Sequence, residues 1–300
     1  MKNSNSFKQF AIIGSTASGK TSLAIACAKK RNAHILSIDS LSIYKEVDIV
    51  SAKPSVKEQD NIKHYGIDLL TIPQHFDVGI FIKLYQEVYL TCLKEKKNLI
   101  IVGGTGFYLK MLIDGISTLP PISQNTYTLA KQHLLDVQET YTLLHTIDPD
   151  YMQSISQNDT YRIEKALLIY LETSMTPSQY FYAHPPKSII TNPLPIYQIT
   201  WERETLRKRI ALRTKLMVKE GLIDEICRLE KTYGRAYNAM KSIGIKETLL
   251  FLDGVYDKKM LIEKITINTA RLAKRQNTFN NSQFKNVIKG DLETLEALLL

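Results

Sequence analysis

The sequence predicts an α/β fold, a three-layer core around a parallel sheet with an all-helical insertion. Three observations carry the prediction. The apolar run Phe10 to Ile13 passes directly into GSTASGKT at Gly14 to Thr21, and Leu23 to Ala28 continue with the apolar density of a buried helix. Short apolar strands then alternate with segments of helical periodicity, the pattern of a parallel sheet covered on both faces. At Gly115 the alternation stops, and the proline-marked connectors GISTLPPIS and AHPPKSIITNPLP bracket a stretch with no continuous apolar strand.

Each element has its own warrant. GSTASGKT fits the P-loop pattern G-x-x-x-x-G-K-[ST], in which a sharp turn presents consecutive backbone N–H groups at a helix N-terminus. Orphan donors and the helix dipole receive an anion there. Gly14, Ser15, Thr16, Ala17, Ser18, Gly19, Lys20 and Thr21 are therefore the expected diphosphate- or nucleotide-binding residues. Lys20 supplies a point charge, and the Thr21 hydroxyl is a ligand for Mg²⁺ held through the diphosphate. His34 to Asp39 reads as a second strand ending in a carboxylate. Asp77 caps a helix running to Lys96, and Asn98 to Val102 forms a strand that enters the turn Gly103-Gly104-Thr105-Gly106. A helix through Tyr108 and Leu112 follows. Ligands of parallel sheets lie beyond the carboxyl ends of the strands, which gathers the P-loop, Asp39 and Thr105 at one edge. The expected organisation is residues 8–114 as the first part of the core, 115–193 as the helical insertion and 194–300 as the second part. That second part holds a strand, Ile196 to Trp201, and helices over Glu202 to Glu220, Leu222 to Tyr233 and Asp257 to Phe279.

Three hundred residues, 44% of them apolar, can bury a sizeable core. No stretch approaches the roughly twenty apolar residues of a membrane span, and MKNSNSFKQF lacks a secretory apolar segment. A cytoplasmic protein is expected. The three cysteines are isolated from one another and the six histidines lack metal-binding spacing, so neither a disulfide framework nor a protein-borne metal cluster is expected. Between Trp201 and Gly290 twenty Lys and Arg face ten Asp and Glu, which concentrates the net charge of +9 in the last third. That run is either a solvated helical face or the footprint of a polyanion.

Four blocks occur in order: GSTASGKT; DSLSIYKEVDI at Asp39 to Ile49 with AKP at Ala52 to Pro54; VGGTGFYLK at Val102 to Lys110; and AKRQ at Ala273 to Gln276. Together they resemble the tRNA dimethylallyltransferases, which prenylate an adenine beside the anticodon, and the resemblance runs from about Phe10 to Phe279. It implies transfer of a dimethylallyl group from dimethylallyl diphosphate to the exocyclic N6 of adenine 37 in tRNA, with Mg²⁺ as cofactor, by a monomer. It assigns catalytic roles to Asp39, Thr105 and Arg213. It places tRNA contacts at the Asp39-Ser40-Leu41-Ser42 turn, at Thr105, near Tyr127 and at Tyr161-Arg162-Ile163-Glu164-Lys165. Arg271, Lys274 and Arg275 form a basic helical stripe suited to phosphates. The chain departs from the usual family pattern at Ser15, Val50-Ser51, Tyr127, Thr160-Tyr161, Lys165 and Phe279-Asn280-Asn281.

The chemistry of prenyl transfer fits these residues. Charge accumulates on the leaving diphosphate while a weakly nucleophilic amine attacks C1, so backbone N–H groups, Lys20 and a Thr21-bound Mg²⁺ oppose that charge. Asp39 suits a general base for the N6 proton, or else a Mg²⁺ ligand or a cap. The Thr105 hydroxyl either bonds the bridging oxygen or caps the next helix. Arg209 and Arg213 share a helical face, as a phosphate contact or as a solvated pair. Two other functions remain open at this point: a small-molecule P-loop kinase, and an RNA-binding protein whose P-loop is a nucleotide switch.

Overall fold

The computed structural model describes residues 7–192 and 194–300, so Met1 to Ser6 and the expected boundary residue Pro193 lie outside the described residues. Among the described residues, strands β1 (Gln9–Gly14), β2 (Ala33–Ser37), β3 (His64–Tyr65), β4 (Asn98–Gly103), β5 (Ile196–Ile199) and β6 (Ile288–Gly290) form one sheet in the order β3-β2-β4-β1-β5-β6. Every pairing is parallel, with Ala11 opposite Ile101 and Ile196, and Leu36 opposite Ile101.

The helices are α1 (Lys20–Arg31), α2 (Val56–Gln59), α3 (Val78–Glu95) and α4 (Gly106–Asp114), then α5 (Gln124–His133), α6 (Val137–Ile147), α7 (Pro149–Met152), α8 (Thr160–Thr173) and α9 (Pro177–Ala183). After β5 come α10 (Arg203–Lys219), α11 (Leu222–Tyr233), α12 (Ile245–Leu252), α13 (Lys258–Gln283) and α14 (Leu292–Leu299). The chain divides into two compact units, one of Ile113–Ile189 and the other of the residues on either side.

Alternation along the strands assigns the two faces of the sheet. Phe10, Ile12, Ile35, Ile100 and Val102 pack with Leu23, Ala24 and Cys27 of α1 and with Leu295 and Leu299 of α14. On the opposite face Tyr85 of α3 donates its hydroxyl to Gln9 Oε1 at 2.9 Å. A second cluster joins Ile43, Tyr44 and Val47 to α11, α12 and α13, and a third, around Leu144, Ile163 and Leu167, is the insertion's own core. Burying apolar area at about 25 cal/mol per Å² makes these clusters the main stabilising term.

Two strands exceed the sequence expectation. β3 has two residues and β6 has three, with Ile288 43% exposed, so neither carries an apolar alternation long enough to read. β2 is shorter than expected and stops at Ser37. Ile38 still donates to Val102 O at 2.9 Å, and Asp39 then sits in the turn beyond the strand end.

Candidate active site

The sheet order sets the site. β2, β4 and β1 are adjacent, so the loops leaving their carboxyl ends, which carry Asp39, Thr105 and the P-loop, are neighbours too. β5 lies on the other side of β1 and delivers Trp201 and α10 to the same edge.

Helices α10 and α13 hold the P-loop by its backbone. Trp201 Nε1 donates to Ser18 O at 2.9 Å, and Arg209 Nε donates to Ala17 O at 2.8 Å while its guanidinium lies 4.5 Å from the Trp201 ring centroid. Arg213 Nη1 donates to Thr16 Oγ1 at 3.1 Å. Thr16 N donates to Gln276 Oε1 at 2.9 Å. The solvated-pair reading of Arg209 and Arg213 is thereby overturned, because each guanidinium donates one hydrogen bond to the loop. Ala17 takes a left-handed φ of 61°, strain of the kind that persists where surroundings over-determine a loop.

Lys20 is buried, and its ammonium donates to Ser15 O at 2.5 Å and to Ser18 Oγ at 3.4 Å. Burial, with the Arg213 charge adding to it, pushes its pKa down to about 7, against a smaller opposing pull from Asp39. Burial also lowers the Arg213 pKa. Two cations are thus held close together with one carboxylate near them. Such an arrangement favours an anion beside the two cations.

Asp39 accepts from Leu41 N at 2.9 Å and from Ser42 N at 3.2 Å, both on Oδ1. These bonds fix the carboxylate as an acceptor, and Oδ2 takes neither. At Gly103 a side chain would bring Cβ within 2.6 Å of Ile38 Cγ1 and 3.3 Å of Asp39 N, so glycine there lets β4 approach the Asp39 turn. The Thr105 hydroxyl makes no hydrogen bond among the described residues; only its carbonyl takes part in the α4 start, accepting from Tyr108 N at 3.2 Å. The cap reading therefore has no support.

These groups surround a cavity of about 330 Å³ lined by Thr16, Asp39, Ser40, Leu41, Thr105, Arg213 and Gln276. A smaller cavity of about 80 Å³ shares Thr16, Asp39, Arg213 and Gln276 and adds Lys20, Thr21, Ser42 and His64. A further cleft, about 860 Å³, lies against the outer face of α1 and reaches Thr21 and Arg213. The expected P-loop, Asp39, Thr105 and Arg213 are brought together.

Two residues that the sequence reading missed organise the loop between Asp39 and β3. Lys53 of the AKP block donates to Tyr44 O at 3.0 Å, Asp48 Oδ1 at 2.7 Å and Asp68 Oδ1 at 2.5 Å. Glu225, 1% exposed, accepts from Asp48 N, Ile49 N and Val50 N at 2.7–3.1 Å. The block's order in the sequence signalled Lys53, whereas nothing local signalled Glu225.

The remaining expected contacts are surface features. On α13, Arg271, Lys274 and Arg275 are all exposed. Within the insertion, Tyr127 on α5 is 39% exposed, and on α8 Tyr161 is 69% exposed with Lys165 Nζ 5.4 Å from its ring centroid. Arg162 is exposed and its Nε lies 3.4 Å from Asp159 Oδ2, while Glu164 is half-buried. Ile163 is corrected from a contact residue to a packing residue, since its side chain is fully buried in the insertion's core.

A parallel sheet with a P-loop, a buried and a half-buried cation, an oriented carboxylate and a hydroxyl with no hydrogen bond among the described residues defines an enzyme that acts on a phosphorylated donor. A family model described as IPP transferase matches residues 42–283. The tRNA dimethylallyltransferase of Sulfurovum sp. (strain NBC37-1) is 61% identical over 293 residues, 98% of this chain and 97% of that protein. That of Sulfurimonas denitrificans is 54% identical over 292 residues, 97% and 98% of the two chains. The crystal structure of full-length tRNA isopentenylpyrophosphate transferase from Bacillus halodurans superposes with a TM-score of 0.72 at 28% identity, over 97% of this chain and 94% of that one. The chain belongs to the IPP transferase family, the tRNA dimethylallyltransferases.

Proposed function

We propose that the protein transfers the dimethylallyl group of dimethylallyl diphosphate to the N6 amine of the adenine next to the anticodon of tRNA, releasing diphosphate. The observation that carries this reading is the convergence of Lys20, Arg213, Thr105 and Asp39 on two cavities that share Thr16, Asp39, Arg213 and Gln276. The P-loop N–H groups, Lys20 and Arg213 bind the diphosphate and stabilise the charge that grows on it as the C1–O bond breaks. The Thr105 hydroxyl donates to the bridging oxygen. Asp39 accepts a proton from the N6 amine as the new C–N bond forms.

Thr21 and the donor's own phosphates would hold Mg²⁺. The fit rests on donor chemistry: hard oxygens are present, and among the described residues no group of three His, Cys, Asp or Glu could hold an ion by itself. Mg²⁺ ordinarily takes one or two protein ligands plus substrate phosphates and water. When bound it supplies further neutralisation of the leaving diphosphate.

On the tRNA side, Arg271, Lys274 and Arg275 bind backbone phosphates, and Tyr161, Arg162 and Lys165 of the insertion contact the anticodon loop. The target base must be flipped out, because a stacked amine cannot meet a phosphate-anchored carbon. Acting on tRNA places the protein in the cytoplasm, as a monomer. Among the described residues no helix is long and apolar enough to cross a membrane. A P-loop kinase would leave the basic stripe without a role, and the family to which the chain belongs argues against it. The test is transfer of label from dimethylallyl diphosphate to tRNA, with ATP hydrolysis as the control. Label on tRNA without nucleotide turnover is expected, and ATP hydrolysis without label transfer overturns the reading.

A further inference from the structure

We infer that Gln276 is a diphosphate-binding residue of this site, its Nε2 donating to the donor's phosphate oxygens beside Thr105 while its Oε1 holds the P-loop. The inference rests on the donor reading given above.

Thr16 N donates to Gln276 Oε1 at 2.9 Å, and this bond assigns the amide's orientation, since an N–H needs an acceptor. Nε2 must then point the other way. Its neighbour there is Gly104: a Cβ on Gly104 would stand 2.5 Å from Nε2, and no side chain can be added without displacing the amide. The Gly103-Gly104-Thr105 turn and the AKRQ block, far apart in sequence, are thus fitted to each other at one side-chain amide.

The position of that amide names its ligand. Gln276 lines both the cavity that holds Asp39 and Thr105 and the smaller one that holds Lys20 and Thr21. It therefore stands between the phosphate end and the reacting end, with the Arg213 guanidinium lining both cavities beside it. Nε2 has no hydrogen-bond acceptor among the described residues. An amide donor in a place lined by Lys20, Arg213, the Thr105 hydroxyl and the single carboxylate of Asp39 is matched by an acceptor-only anion on the side of the cations. A diphosphate fits, and it also explains why Thr16 N–H is withheld from the phosphates: the loop gives up one backbone donor to orient a side-chain donor deeper in the site.

The experiment compares wild type with Gln276→Glu and Gln276→Met. Glu keeps an acceptor for Thr16 N and replaces the donor with a carboxylate; Met keeps the length and removes both functions. The readouts are calorimetric affinity for inorganic diphosphate with Mg²⁺, thermal unfolding, and KM for each substrate. A hydrogen bond to a charged group predicts that Gln276→Glu binds diphosphate about tenfold to a hundredfold more weakly, with its midpoint of unfolding near wild type and KM for tRNA unchanged. Gln276→Met and Gly104→Ala, which displaces the amide, should share the donor defect. Wild-type diphosphate affinity in folded Gln276→Glu overturns the inference and leaves Gln276 a structural brace. A raised KM for tRNA with donor affinity intact overturns it as well and moves the amide's role to the base. If wild type itself neither binds diphosphate nor transfers label, the donor reading has failed instead, so the two failures are distinguishable.

Discussion

Two residues carry the site's chemistry, Asp39 through its orientation and Lys20 through its burial. The Asp39 carboxylate is oriented by two backbone donors, so Asp39→Ala should keep diphosphate binding and lower turnover about a hundredfold or more, a general-base contribution. Unchanged turnover at saturating substrates would exclude that role, and a loss confined to Mg²⁺ affinity would make Asp39 a metal ligand. Lys20, with its pKa near 7 in the ligand-free protein, should return to the fully charged form when a diphosphate arrives. At pH 8 binding should therefore take up protons at this residue, by up to about one, and calorimetry in buffers of different ionisation heat measures it. The sign for stability follows from the same shift. The folded pKa lies below the ordinary 10.5, so this group's contribution is present above 10.5 and is lost as pH falls through about 7. Lys20→Met should accordingly raise the unfolding midpoint at pH 6 and abolish protection by diphosphate.

At the scale of elements, α10, α11 and α13 each restrain a loop that the sheet alone would leave open. Glu225 on α11 satisfies three backbone N–H groups of the loop 48–50. Glu225→Ala leaves those donors without their acceptor, the Val50 N–H buried among them, and should destabilise the protein by about 2–3 kcal/mol, read from denaturant midpoints at unchanged slope. α13 presents its basic stripe to solvent, and the triple variant Arg271→Ala, Lys274→Ala, Arg275→Ala should weaken tRNA binding and flatten the plot of log K against log salt by about 0.9 per lost phosphate contact. Identical slopes would make the stripe a solvated face. α8 differs in kind. Arg162→Ala should also narrow the gap in affinity between cognate and non-cognate anticodon loops, because that side chain is exposed beside Tyr161 on the insertion.

For the whole molecule the proposed donor site lies within one compact unit, the residues on either side of the insertion, which holds both Thr16 and Gln276, so ligand binding should be coupled to that unit's global stability. Diphosphate with Mg²⁺ at about a hundred times its dissociation constant should add about 2.7 kcal/mol to unfolding, and chelating the metal should remove part of it. Thermal scans with and without chelator measure both. The strand–loop–helix around Gly14 to Thr21, the alternation that makes a parallel sheet, and Asp39 and Thr105 at strand ends were legible because each depends on neighbours in the chain and on the rule that ligands sit at carboxyl ends. Arg213 was legible through resemblance. What stayed hidden were pairs whose partners lie far away in sequence: Thr16 with Gln276, Val50 with Glu225, Ser18 with Trp201. β3 and β6 stayed hidden as well, since two or three residues carry no period. The sequence by itself determined the four longer strands of the sheet and the loop that follows the P-loop pattern, because hydrogen-bonded periodicity and loop geometry are local. Only the tertiary structure decided which donor of that loop Gln276 takes and which cations are desolvated beside it, because a side chain's partner and its desolvation depend on whatever the fold packs against it.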